Sequence, residues 1–153
     1  MDSPTSKPPK KKRPSPRRDG REAAVQFLFG HDIQGDAVVD LEAIDTFWDL
    51  RLARDPARVF ARSLIEGISA HLAEIDESIR NHLQNFAFQR LAVVDRNILR
   101  LATYEMLHGD HIPPEAAMNE AIEIAKRFGT AESPAFINGV LDSLLKEAQD
   151  SSS

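Results

Sequence analysis

Cysteine is absent from all 153 residues. That removes disulfide bridges, thiolate nucleophiles and sulfur-ligated metal sites together, and it fits a reducing cytoplasm. No apolar run nears the ~20 residues that a membrane-crossing helix requires. The first residues also lack the apolar core of a secretion signal. Gly-rich phosphate loops are missing, as is the strand–turn–helix setting of a nucleophilic serine. Alternating polar and apolar runs with turn chemistry between them are missing too, so no sheet is expected. Tryptophan and tyrosine occur once each against eight phenylalanines. Any stacking of flat groups on this protein therefore falls mainly to phenylalanine.

Positive charge is scarce after residue 21. Residues 1–21 hold eight Lys or Arg and two Asp, a local charge of +6, whereas the whole chain carries -5. The rest is therefore an acidic body of -11 with 11 basic and 22 acidic residues. Five of the nine prolines lie in the first 16 residues, which prevents a packed helix before about Arg17. The expected organisation is a disordered Lys/Pro-rich tail over 1–16, a single helical domain over 17–148 and a flexible end over 149–153. Composition leaves two roles for the tail, a solubilising segment or a contact to polyanions.

Helical periodicity accounts for the remainder. Asp19 and Glu22 have capping-box spacing, ahead of Val25, Leu28, Phe29 and Ile33, with a break at Gly35. Leu41, Ile44, Trp48 and Leu52 mark a helix over 38–53. Asp55-Pro56 opens the next, through Val59, Phe60, Leu64, Ile68 and Leu72, and a bend leads to Ile75, Ile79 and Leu83. Segment 84–92 reads as a connection. A central helix runs over 94–108 and Gly109 closes it. Pro113-Pro114 then opens a helix with Ala117, Ala121, Ile124, Ala125 and Phe128 inward, ended by a left-handed Gly129. Ser133-Pro134 caps the last, whose apolar face is Phe136, Ile137, Val140, Leu141 and Leu144. Gly139 on that face predicts close approach of another helix or of RNA, with the helix favoured. The fold class is all-α: a compact bundle of about seven helices in two subbundles.

Catalytic chemistry finds no support. Glu105, His108, Asp110 and His111 are the nearest approach to a metal cluster, but Gly109 breaks the helix between the histidines, and a polar helix end is the simpler reading. Glu120 and Glu123 resemble half of a carboxylate metal motif without its histidines. No cofactor is expected and no enzyme activity.

Three strings carry a resemblance: Arg21-Glu22-Ala23-Ala24-Val25-Gln26-Phe27-Leu28-Phe29, Asp95 to Glu105 (DRNILRLATYE) with Ile112-Pro113, and NEAIEIAKRFG followed by FINGVLD. In this order they resemble the NusB family of transcription antitermination factors, over roughly 17–145. Where that family often has an aromatic hydroxyl late in its first helix this chain has Phe29, and where it has a tryptophan before the central helix this chain has Phe86. The resemblance implies an RNA-binding adaptor. It implies a partner, the small-subunit ribosomal protein NusE, and a shared target, single-stranded boxA RNA. It also implies attachment to the elongating RNA polymerase complex with other Nus factors, service to ribosomal RNA operons, and for some members a homodimer.

Guanidinium groups displace counterions from phosphates, and splayed bases need flat partners. The expected RNA-binding residues are accordingly Arg17, Arg18, Arg21, Gln26 and Phe29 near the first helix, with Arg127, Phe128, Glu132 and Phe136 where the last two helices meet. Spacing alone places Phe29 in the core and leaves Phe128 and Phe136 open between core and stacking; the resemblance favours function. Asn119 and Glu120 can bond base edges, but the helix-start reading is favoured. Asp95 and its neighbours are, by the resemblance, the expected NusE contact. Two other readings remain: a protein–protein scaffold with an incidental basic tail, or a helical module of an RNA methyltransferase. The short stretch after the last helix speaks against the second.

Overall fold

The computed structural model describes residues 15–31, 40–84, 87–109 and 111–151. Expectations for residues 1–14, Ile33, Gly35, Phe86 and Asp110 lie outside them. Among the described residues there are seven α-helices and no strand: α1 (Pro16–Gly30), α2 (Ala43–Leu50), α3 (Asp55–Ala70), α4 (Leu72–Arg80), α5 (Val93–His108), α6 (Pro114–Phe128) and α7 (Ser133–Ser151). A single 3-10 turn, Phe88–Arg90, fills the connection before α5 and inserts Phe88 into the core.

The helices form because each stripe of apolar residues finds a partner. α1 packs mainly along α3, and α5 lies against α6, with α7 and α4 completing the second group. Contacts of α1 and α3 with α5 join the two groups into one core. The chain turns at His71, between α3 and α4, where the bend is expected. Gly20 sits so close to Phe60 and the Ala57 carbonyl that an added Cβ would lie 2.9 and 3.0 Å from them, which is why α1 and α3 approach closely. Gly67 does the same for the Tyr104 ring of α5.

α5 is buried on nearly every face, including Arg96, Asn97, Arg100, Thr103 and Glu105. Charges in such a place require partners. Arg100 reaches Asp76 of α4 through two bonds of 2.8 and 2.9 Å. Glu105 accepts two from Arg21 of α1 at 2.8 and 2.9 Å. The central helix is thus tied to both groups by forked ion pairs.

Several expectations change in detail. α1 starts earlier than the Asp19–Glu22 box: Ser15 Oγ accepts the Arg18 N–H at 3.1 Å and Pro16 follows in the first turn. Asp19 turns instead to Arg51, 2.7 Å away. α2 is shorter than predicted, because the chain becomes extended at Arg51; Leu52 is left in solvent, as is Val59 of α3. Gly129 is not left-handed, with φ -91° and ψ -168°. Its value lies in size, since a Cβ would come within 2.5 Å of the Ser133 side chain. Ser133 Oγ accepts the Thr130 N–H at 2.9 Å, tying the loop between α6 and α7 rather than capping forward. Gly139 faces open space, with nothing within 4 Å of an added Cβ, so no helix presses on it.

Candidate nucleic-acid interface

The arginines at the start of α1 fall into two classes. Arg17 and Arg18 lie in the exposed first turn, placed there by the Ser15 cap. Arg21, one turn on, points inward and is only 4% exposed. Its guanidinium forks onto Glu105, and Glu105 also takes His111 Nε2 at 2.9 Å. The Phe60 ring lies beneath both Arg17 and Arg21, its centroid 5.0 and 5.2 Å from their guanidinium carbons, at cation–π distance. Arg21 was expected at the surface; the interior carboxylate of Glu105 holds it in the core.

Arg18 faces α6. Its Nε and Nη2 lie 3.1 and 3.2 Å from the two oxygens of Glu120. That hydrogen-bonded carboxylate holds the Arg18 guanidinium more firmly protonated than usual. Glu120, expected to steady the start of its helix, reaches across to α1 instead. Beside this pair Arg127 Nη1 lies 3.2 Å from Glu22, with the rest of the Arg127 side chain open to solvent. Burial pushes the Glu22 carboxyl above the ordinary range, opposed by the charges of Arg127 and Arg51. Arg18, Glu22, Glu123, Ile124, Lys126 and Arg127 line a cleft of about 280 Å³ between α1 and α6. Three cations thus edge one depression, each paired with a carboxylate: Arg18 with Glu120, Arg127 with Glu22 and Lys126 with Glu123, 3.2 Å away.

Phe29 is 54% exposed, so the core expected from its spacing does not take it. At 100° per residue it falls on the α1 stripe of Arg18 and Glu22, roughly 16 Å along the axis from Arg18 by the helical rise. Gln26 is half-buried and accepts from Arg51 Nε at 2.8 Å, so its carbonyl is committed to Arg51. Arg51 itself, bonded to both Gln26 and Asp19, braces this side of α1. Its role was not foreseen, since nothing in local spacing links it to residues 25 and 32 positions away.

The remaining residues gather around the α6–α7 loop. Phe128 is half-buried against the core with the Arg127 guanidinium 5.2 Å from its centroid. Phe136 also packs partly on the core, yet with Glu132 it lines a second cleft of about 220 Å³. Arg90, Leu91, Ala92 and Asp95 form the other wall. Asp95, expected to meet a protein, therefore shares a cleft with two residues expected to meet RNA. One of its oxygens is shielded from solvent and has no hydrogen-bond partner. Its neighbours Arg96, Asn97 and Ile98 are buried and offer no outer surface.

Of the cluster expected at Glu105, His108, Asp110 and His111, the described members Glu105 and His111 stay together. His108 turns the other way, toward Glu74 and His71.

Comparison with known proteins agrees with this architecture. The profile of the NusB family matches residues 18–146. The transcription antitermination protein NusB of Myxococcus xanthus is 41% identical over 130 residues, covering 82% of this chain and 91% of that protein. The Bacillus subtilis protein of the same name is 44% identical over 135 residues, covering 88% and 98%. Among solved structures, T. maritima NusB superposes with a TM-score of 0.76 at 43% identity, covering 88% of this chain and 94% of that one. A NusB in a crystal structure with NusE and double-stranded RNA superposes with a TM-score of 0.75 at 26% identity, covering 86% and 97%. No described helix is long and apolar enough to cross a membrane.

Proposed function

Since the chain belongs to the NusB family of transcription antitermination factors, we propose that it binds single-stranded boxA RNA together with NusE and supports processive transcription of ribosomal RNA operons. The observation that carries this reading is the cleft between α1 and α6. Arg18, Lys126 and Arg127 edge it, while Arg17 is exposed beside it over the Phe60 ring of α3. Phosphates are drawn to such a set by release of their counterions.

Exposed Phe29 supplies a face for a splayed base along the same stripe of α1. Phe128 and Phe136, partly buried where the chain turns between α6 and α7, are proposed to stack bases, and Glu132 is proposed to accept from a base edge. Gln26 and Arg21 act one layer deeper: Gln26 steadies Arg51, and Arg21 fastens α1 to the central helix. Both therefore shape the RNA face rather than touch phosphate. The cleft holding Asp95 is the proposed NusE contact. The acidic body favours approach of a basic ribosomal protein, while the basic start of the chain takes RNA.

A fluorescence anisotropy titration tests the reading. A boxA-like RNA strand and a scrambled one are titrated at fixed moderate salt, each with and without NusE. Tighter binding of the boxA strand, strengthened by NusE, is the expected result. Equal weak binding to both strands, unmoved by NusE, would leave only nonspecific electrostatics and favour the scaffold reading.

A further inference from the structure

A group of potential metal ligands sits away from both clefts. His71 terminates α3 and precedes α4, Glu74 lies in the first turn of α4, and His108 is the last residue of α5. One ligand atom from each lies within 4.8 Å of the others. His108 Nε2 is 3.2 Å from Glu74 Oε1, and His71 Nδ1 is 3.6 Å from Glu74 Oε2. The two imidazoles stack with centroids 3.9 Å apart.

Two features set this group apart from an ordinary surface ion pair. First, His108 Nε2 is shielded from solvent yet lacks an aligned hydrogen-bond partner, although the carboxylate oxygen of Glu74 is close. This nitrogen and the Glu74 oxygen are two donor atoms that one cation can bridge. Second, two helix C-termini, those of α3 and α5, end at these histidines. The carbonyls ending α5 favour positive charge beside His108, while the N-terminus of α4, which starts directly after His71, opposes it there.

We propose that His71, Glu74 and His108 bind one divalent transition cation of the zinc, nickel or copper class. Two imidazoles and one carboxylate are a set these ions accept, with a further position left for water. Stacked rings direct their nitrogen lone pairs in parallel, so binding requires the partly exposed His71 ring to turn out of the stack. The bound ion would tie the α3–α4 bend to the end of α5 and so stabilise the join between the two helix groups.

Isothermal titration of metal-free full-length protein with zinc chloride at pH 7.5 tests this. The variants are His71→Asn, Glu74→Gln and His108→Asn. His82→Asn is the control, because His82 pairs elsewhere, with Ser143 and Glu147. The expected result is one equivalent bound by the wild type and by His82→Asn, with affinity at least about tenfold weaker in both site histidine variants, by analogy with lost ligand-shell groups. Zinc at roughly 100 times its dissociation constant should raise the wild-type Tm by about 5–10 °C and leave that of His108→Asn in place. Absence of saturable one-equivalent binding overturns the proposal, as does binding that both His71→Asn and His108→Asn retain unchanged. Circular dichroism of each variant, matching the wild type, separates loss of ligand from loss of fold.

Discussion

Three arginines within five positions meet three different fates. Arg17 rests over a ring in solvent, Arg18 forks onto Glu120 at the cleft, and Arg21 is sealed in the core on Glu105. Alanine substitutions should separate them. Arg21→Ala strands a buried carboxylate and should cost about 3–5 kcal/mol, read as a lowered midpoint in urea denaturation. Arg18→Ala should leave that midpoint nearly in place and flatten the salt dependence of RNA binding by roughly one log unit per lost phosphate contact. The reverse pattern would exchange their roles. Glu22 carries a pH signature of its own. Its carboxyl is held above the ordinary range by burial, so the folded state keeps a proton that the unfolded chain has already released. Stability contributed at this residue should therefore fall as pH rises from the ordinary carboxylate range through the raised value. Glu22→Gln should flatten that decline, measured by denaturation at a series of pH values. A parallel decline in both proteins would place its source elsewhere. None of these fates is written in local spacing, because the partners stand far away in the chain: Glu105 is 84 positions from Arg21 and Glu120 is 102 from Arg18.

At the scale of helices the sequence is far more legible. Seven helical segments, the bend near His71 and the short connection before the central helix follow from apolar periodicity and from proline placement, which act within a few residues. The errors cluster where a neighbour, rather than the helix, decides. Glycine shows this best. Gly67 clears room for Tyr104, whereas Gly139 faces nothing, although both lie in helices and neither can be told from the other by local pattern. Gly139→Ala should stabilise α7 by up to about 1 kcal/mol, since only the backbone entropy of glycine is removed. Gly67→Ala should lower the thermal midpoint, because the new methyl meets the Tyr104 ring. A destabilising Gly139→Ala would point to a contact that the isolated chain does not make.

For the whole molecule, segregation of charge links fold to function. A basic beginning on an acidic body suits the proposed binding of RNA and of a basic protein partner. In the second cleft Asp95, proposed for NusE, lines the same hollow as Glu132 and Phe136, proposed for RNA. Asp95→Lys should weaken the proposed NusE binding markedly with helical circular dichroism unchanged, since a half-exposed charge change seldom unfolds a domain. If helicity collapses instead, Asp95 serves the fold. What the sequence by itself determined is the helical class, the rough limits of each helix, the charge asymmetry and the family, because these rest on patterns confined to short windows. Only the tertiary structure decided that Arg21 is an internal tie, that Phe29 is free, that Arg18 and Arg127 edge one cleft and that His108 turns to His71. Those outcomes depend on which surfaces meet when the helices pack, and packing joins residues that no local period relates.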